Sequence, residues 1–199
     1  GWRPSFEEAD SVPIRGKPGA MDPAEMLRRG FTRETAIRRD AKGRWWNGDE
    51  LVEHLGVTRS FDGWIDRAPD GRYCLANDIN WAFVAIEGPP YFVHSVELAG
   101  DGSDSNDPIV LCLSGGLREP LEPSTLRLGP DDGLYCDVRG GRVPARFDDH
   151  ATHQLARRLD ADALGPYFRV AGALVRPSVV ADPLGGWDPS KGDVESAKR

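Results

Sequence analysis

Two short phrases occur twice along this chain in the same order, and they constrain its fold more than any other feature. Asp-Gly-Arg-Tyr-Cys at residues 70–74 returns as Asp-Gly-Leu-Tyr-Cys at residues 132–136. Gly-Pro-Pro-Tyr-Phe-Val at residues 88–93 returns as Gly-Pro-Tyr-Phe-Arg-Val at residues 165–170. Ordered repetition is typical of a duplicated structural unit. The sequence therefore predicts two related β-rich half-domains that pack together.

Short apolar runs separated by turn residues predict antiparallel strands joined by hairpins. The expected turns lie at residues 40–43, 68–71, 87–90 and 129–133. The unbroken apolar run at residues 109–113 predicts a buried strand, and residues 167–175 predict a last strand. Between residues 139 and 142, an Arg-Gly-Gly-Arg turn is expected to lead into a further short strand.

Helices are expected at three places, each with a polar cap. Asp22 and Pro23 begin a short helix that ends at Gly30, and Asp49 caps a second over residues 50–55. Asp148 or Asp149 caps the third, which runs to Leu159. Short strands with few helices predict an α+β fold of two duplicated, strongly curled antiparallel β units, each closed against a helix.

Composition divides the chain into four parts. Residues 1–34 form an N-terminal arm and short helix, because the first twenty residues are polar and rich in Pro and Gly. An acidic, Gly/Ser/Asn-rich stretch at residues 101–108 separates a first repeat, residues 35–100, from a second, residues 101–181. Residues 182–199 have the composition of a tail.

Charge and cysteine usage narrow the class of protein. A net charge of −7 argues against a general nucleic-acid binder, which needs a basic face, but leaves room for a basic pocket that takes one phosphorylated small molecule. No apolar run is long enough to span a bilayer, and no secretory signal opens the chain. Cys74, Cys112 and Cys136 lie in strand-like runs, which favours buried, reduced thiols and a cytoplasmic location.

Aromatic residues recur beside the expected turns and are the first candidates for binding. Trp45, Trp81, Tyr91 and Tyr135 could stack on a base ring if they face a cleft, although core packing is the commoner role. Trp45 and Trp46 are neighbours on one strand, so they must point to opposite faces of it.

The motif around the third helix is the only one that suggests a metal. His150 and His153 share a helix face beside Asp148 and Asp149, a donor set that suits Zn or Fe. The alternative is a helix cap followed by two surface histidines. His94 lies on an apolar strand near Glu97, where a hydrogen-bonded role is expected.

Two glycine-containing turns could offer backbone N–H groups to a phosphate, at residues 114–116 and 139–142. Turn formation alone explains both equally well. No nucleophile elbow and no Ser-His-Asp or Cys-His signature is legible, so the sequence favours a protein that is not an enzyme and assigns it no cofactor.

The residues between 35 and 177 resemble a bacterial family of unknown function, DUF1285. The resemblance is carried by Gly-Arg-Trp-Trp at residues 43–46, the phrase at residues 70–75, Trp81, the Pro-aromatic turn at residues 87–92 and the Tyr…Val-Arg-Gly-Gly segment at residues 135–141. The family usually has Thr-Pro shortly before the Trp strand, where this chain has residues 76–80, Ala-Asn-Asp-Ile-Asn.

The resemblance implies a duplicated core whose second half is pleckstrin-homology-like, with a cleft between the halves that binds a nucleotide-like ligand in signal transduction. Arg139 matches the family's arginine and is expected either to grip an anionic group in that cleft or to form a salt bridge to Asp66 or Glu87. The expected function is ligand binding or signalling, with a possible protein partner. The alternatives are a metal-dependent hydrolase using His150 and His153, and a protein-interaction scaffold.

Overall fold

Hairpin turns with glycine or aspartate at a left-handed position organise the fold. The computed structural model describes residues 33–68, 70–98, 108–170 and 172–185, all within one compact unit. The predicted helix at residues 22–30 and most of the predicted arm, acidic stretch and tail lie outside the described residues. In chain order the described elements are β1 (Ile37–Arg39), β2 (Trp45–Asn47), β3 (Glu50–Leu51), α1 (Leu55–Trp64), β4 (Ile65–Arg67), β5 (Tyr73–Ala76), β6 (Trp81–Phe83), β7 (Ala85–Ile86), β8 (Tyr91–Glu97), β9 (Val110–Leu113), β10 (Arg118–Pro120), β11 (Arg127–Leu128), β12 (Leu134–Val138), β13 (Val143–Phe147), α2 (Asp149–Leu155), β14 (Leu159–Asp162), β15 (Gly165–Val170), β16 (Ala173–Val175) and β17 (Ser178–Val179).

The described strands form four sheets, which confirms a mixed α+β fold. Their strand orders are β3-β2-β1-β7, β4-β5-β6, β10-β9-β8-β13-β12-β11-β17 and β14-β15-β16. In the largest sheet β8 pairs antiparallel with β9 and parallel with β13. The hydrophobic core gathers on this sheet, where Tyr91, Val93, Leu111, Val143 and Leu155 are buried. The curled, pleckstrin-like detail is not confirmed.

Three of the hairpin turns share one geometry, as predicted. In each, the N–H of the first turn residue donates to the carbonyl four residues on, and a later N–H donates back to the first carbonyl. The residue at the left-handed position is Gly43, Gly71 or Asp132, with φ of 80°, 88° and 56°. This combination of a turn and a left-handed residue is a common three-residue hairpin loop.

The repeated phrases do not occupy equivalent positions in these turns. In the hairpin of the first phrase, at residues 70–74, the left-handed residue is Gly71. In the hairpin of the second phrase, at residues 132–136, it is Asp132, one residue before Gly133. Tyr73 therefore follows its turn by two residues and Tyr135 by three. A one-residue shift exchanges the faces of a strand, so the predicted superposition of Tyr73 with Tyr135 is wrong. The duplication that rested on it is not confirmed.

The prediction of a helix at residues 50–55 is wrong. Glu50 and Leu51 form β3, paired with β2, because Gly48 and Asp49 form a two-residue hairpin loop with Gly48 at φ 59°. The helix α1 begins later, at Leu55, and its cap is His54, whose Nδ1 accepts the Val57 N–H at 3.3 Å.

Two further strand predictions are wrong. The turn at residues 87–90 does not close a hairpin, because β7 pairs with β1 and β8 joins the largest sheet. The last strand, predicted as residues 167–175, is the hairpin of β15 and β16, with Gly172 at φ 77° between them.

The cap of the last helix is as predicted, but the helix is shorter. Asp148 accepts the Ala151 N–H, and α2 passes into a 3-10 turn after Leu155. The division between repeats at residue 101 stays a prediction. The strands β8 and β9 on either side of it are neighbours in one sheet.

Candidate functional site at the Arg139 turn

Three of the five aromatic and arginine candidates meet at one short segment, residues 62–66, where α1 passes into β4. The indole Nε1 of Trp45 donates to Asp62 at 2.9 Å. The Tyr91 hydroxyl donates to the carbonyl oxygen of Ile65 at 3.0 Å. The Arg139 guanidinium lies 3.9 Å from Asp66. The segment therefore links side chains from both predicted halves of the chain.

Asp62 anchors the end of α1 to the four-stranded sheet. Besides Trp45, it binds Arg39, whose Nε lies 3.2 Å from the carboxylate. Arg39 is only 2% exposed, so its charge depends on this partner and on the Pro89 carbonyl that its Nη1 contacts at 2.8 Å. Burial lowers the pKa of Arg39, and the Asp62 charge opposes that shift.

Tight backbone packing holds the same end of α1 from the other side. The turn at Ser114–Gly116 lies against it, and a Cβ on Gly115 would come within 2.6 Å of the Gly63 nitrogen. Gly115 also has φ of 79°, which favours glycine. The glycines at residues 115 and 116, in a turn predicted as a phosphate contact, therefore allow the backbone to pack closely against α1.

Asp66 is a buried carboxylate, 4% exposed, whose hydrogen-bonding capacity is largely used. Arg142 donates to it twice, from Nε and Nη2, both at 2.9 Å. The Arg67 N–H donates to Asp66 Oδ1 at 2.8 Å. These hydrogen bonds to Asp66 raise the pKa of Arg142, and the charges of Asp66 and Glu119 act in the same direction. The forked pairing is the strong, two-bond geometry of arginine and carboxylate.

Arg139 has a left-handed backbone conformation, and its guanidinium makes few hydrogen bonds. Its φ is 56°, and Gly140 and Gly141 follow at 66° and 82°, so three successive residues are left-handed. The Arg139 N–H donates to Glu119 Oε2 at 2.7 Å. Its guanidinium contacts Asp66 only at ion-pair distance, and its Nε is buried with no hydrogen-bond partner among the described residues. One fifth of the side chain is exposed.

The other two candidates lie in different surroundings. Trp81 is half-buried on β6 under the Arg33 guanidinium, 3.9 Å from its ring centre. Tyr135 is buried on β12 and its hydroxyl lies 3.2 Å from Asp131 Oδ2. Trp45 and Tyr91, at 1% and 0% exposed, are core residues, so the structure does not place the five together on an open cleft surface.

Trp45 and Trp46 point to opposite faces, as predicted. Trp45 is in the core, whereas Trp46 is half-buried on the other face of the four-stranded sheet, with Arg38 4.8 Å from its ring centre. The cysteine prediction also holds for Cys74 and Cys136, which are free and buried, while Cys112 is half-buried.

The histidines predicted as metal ligands do not lie in a cluster with enough further ligands to bind a metal ion. His150 and His153 are both exposed on α2, and His153 Nδ1 lies 2.6 Å from the Asp149 carbonyl oxygen. His94 is hydrogen-bonded, as expected, but to Asp148 at 3.1 Å. In the part of the chain that the structure describes, no group of three or more His, Cys, Asp or Glu side chains could hold a metal ion.

A shallow groove lies apart from all of these residues. It runs between the turn at Pro123–Thr125 and β16, and its walls include Leu126, Leu174 and Arg176. Sequence reasoning did not find it, because its walls come from segments fifty residues apart. None of the described helices is long and apolar enough to cross a membrane.

Sequence reasoning also missed Arg39, Asp62 and Glu119, and it named Arg142 only as part of the candidate phosphate turn at residues 139–142. The only available signal was the pairing of Arg39 with Trp45 across the first hairpin, which puts both on one face. Asp66 is one of the two predicted salt-bridge partners of Arg139, with Glu87, and its carboxylate lies 3.9 Å from the guanidinium.

The fold is similar to that of solved DUF1285 family proteins. One, from Silicibacter pomeroyi DSS-3, is 17% identical, with 71% of this chain and 79% of that chain covered and a TM-score of 0.57. Another, from Shewanella baltica OS155, is 16% identical over 58% of this chain and 85% of that one, with a TM-score of 0.46. No family model matches the sequence, and no curated protein matches it. The predicted resemblance is confirmed at the level of the fold, which carries no function with it.

Proposed function

We propose that this chain is a non-enzymatic binding protein that recognises an anionic group of a small molecule, nucleotide-like or otherwise, at the Arg139 turn. The observation that carries the proposal is the unused hydrogen-bonding capacity of Arg139. Arg142 and the Arg67 N–H already occupy the Asp66 carboxylate, so Arg139 approaches it without a hydrogen bond. A planar guanidinium with free donors suits phosphate or carboxylate.

Accessibility supports the same proposal. The Arg139 and Arg142 side chains are 20% and 29% exposed, and Gly140 and Gly141 between them are exposed. A Cβ on Gly141 would meet nothing within 4 Å, so a ligand can approach the backbone of the turn. The buried Asp66 beneath keeps both guanidinium groups in place.

A binding role also fits the reactive groups nearby. Burial raises the pKa of the Cys74 thiol to about 12, and burial likewise raises the pKa of Tyr91. Both shifts favour the protonated forms of these groups, which are poor nucleophiles and bases. A role in bacterial signal transduction and a cytoplasmic location belong to the same proposal, and rest on the family resemblance and the reduced cysteines.

Calorimetric titration with inorganic phosphate, citrate and adenosine monophosphate tests the proposal. We expect at least one probe to bind the wild-type chain, and Arg139→Gln to weaken binding about tenfold or more with little change in Tm. Arg38→Gln is the matched control, because Arg38 lies over Trp46 on another sheet. Failure of every probe to bind, or equal binding by R139Q, would contradict the proposal. A large fall in the Tm of R139Q without any binding would assign Arg139 to the salt bridge.

A further inference from the structure

The N–H of Arg139, the first of three successive left-handed residues, is hydrogen-bonded to a carboxylate of the chain itself. Successive backbone N–H groups in turn conformations form a concave surface that attracts negative charge. Here the Arg139 N–H donates to Glu119 Oε2 at 2.7 Å, the short distance of a hydrogen bond to a charged acceptor. Glu119 comes from β10, the terminal strand of the largest sheet, and is half-buried.

We infer that the Glu119 carboxylate occupies the anion position of the Arg139 turn and competes there with an external anion, so that it sets the affinity of the site. The inference rests on the proposed function. Glu119 is then an internal competitor of the ligand. The group of the ligand that binds at the turn is a compact oxyanion, which can replace a carboxylate.

The charges of the cluster support this role. Arg139 and Arg142 contribute two positive charges, and Asp66 and Glu119 contribute two negative ones, so an incoming anion meets a neutral group. The charge of Glu119 acts on this cluster, since it adds to the hydrogen bonds and the charge of Asp66 in raising the pKa of Arg142. Asp66 is fixed by three hydrogen bonds, whereas Glu119 contributes one to the turn. Glu119 is therefore the carboxylate that an external anion can displace.

The test is a titration of inorganic phosphate into Glu119→Gln at low ionic strength. Glutamine keeps the size of the side chain and an oxygen that accepts the Arg139 N–H, but removes the charge. We expect phosphate to bind E119Q about tenfold more tightly than the wild-type chain. Glu50→Gln, on the exposed edge strand β3, is the matched control and should bind as the wild type does.

Each outcome decides between the two proposals. Equal affinity of E119Q and wild type, with binding lost in R139Q, overturns the role of Glu119 and leaves the anion site standing. If neither wild type nor E119Q binds phosphate, citrate or adenosine monophosphate, the anion site itself is wrong. Glu119→Ala, which also frees the Arg139 N–H, is the second variant if E119Q folds poorly. A gain in phosphate affinity is expected for it too, and its absence overturns the inference.

Discussion

Asp62 and Asp66 lie four residues apart at the end of α1 and bind partners from different sheets. Asp62 accepts hydrogen bonds from Arg39 and Trp45 of the four-stranded sheet, at 3.2 and 2.9 Å. Asp66 accepts two from Arg142, in the turn between strands of the largest sheet. The segment between the two carboxylates therefore fixes how these sheets meet beside the candidate site.

Replacing Asp62 by alanine should strongly destabilise the protein. The change leaves the buried Arg39 guanidinium without its carboxylate, and an unpaired buried charge costs about 3 kcal/mol in the free energy of unfolding. Urea denaturation measures the loss. Asp49→Ala, at an exposed position, is the control and should change stability by no more than about 0.5 kcal/mol. A loss for D62A as small as the control's would show that Arg39 is held by other contacts.

Gly115→Ala should be far more harmful than Gly141→Ala, although both glycines are left-handed, with φ of 79° and 82°. A Cβ at 115 would lie 2.6 Å from the Gly63 nitrogen, whereas at 141 it meets nothing within 4 Å. Backbone strain alone costs about 1 kcal/mol, and the clash raises the loss for G115A to about 3 kcal/mol. Urea midpoints compare the two. Equal losses would mean that the turn moves away from α1 at no cost.

The three thiols should differ in reactivity. Cys112 is half-buried, so a disulfide reagent at pH 8 should modify it in the folded protein. Cys74 and Cys136 are buried, and burial raises the pKa of both, that of Cys74 to about 12, so they should react only after unfolding. Peptide mass spectrometry after timed labelling identifies each site. Labelling of Cys74 as fast as Cys112 would contradict its burial.

Stability should fall in alkaline solution. The folded chain keeps the Cys74 thiol protonated up to about pH 12, while the unfolded chain releases that proton near the ordinary value of 9.0. Above pH 9 the folded state then binds more protons than the unfolded state, so the contribution of Cys74 to the free energy of unfolding is constant below pH 9 and decreases above it. Cys136 and Tyr91 act in the same direction, because burial also raises their pKa.

Urea midpoints at pH 7, 8.5 and 10 test this dependence. The double variant Cys74→Ala, Cys136→Ala is the control and should show a shallower decrease, whatever its stability at pH 7. A wild-type midpoint that is unchanged at pH 10 would contradict the raised pKa values.

Local features were predictable from the sequence because local chemistry determines them. The turns at Gly43 and Gly71 follow from glycine's freedom at positive φ, and the Asp148 cap from a short polar side chain before a helix. The helix predicted at residues 50–55 is wrong because Gly48 and Asp49 form a hairpin loop, in which Asp49 is a turn residue and not a helix cap.

Long-range pairing was not predictable, because it depends on contacts that no local pattern records. The repeated phrases suggested equivalent strands, yet a one-residue difference in the turn changes which face Tyr135 presents. Within the site, Arg139, Tyr91 and Trp45 could be named from the sequence. Arg39 and Glu119 could not, since a charged residue on a short strand is usually a surface residue.

Both strands that pair with β8 come later in the chain, which affects how the protein folds during synthesis and where it can be truncated. The parallel neighbour of β8, β13, is made some fifty residues later, with Ala145 opposite Tyr91, so the β8–β13 pair cannot form until residue 147 has left the ribosome. A fragment that stops near residue 100 would carry β8 with both edges bare, a template for association with other chains. Expression of the N-terminal half alone should therefore yield aggregate, and useful truncations keep residues 33–185 together.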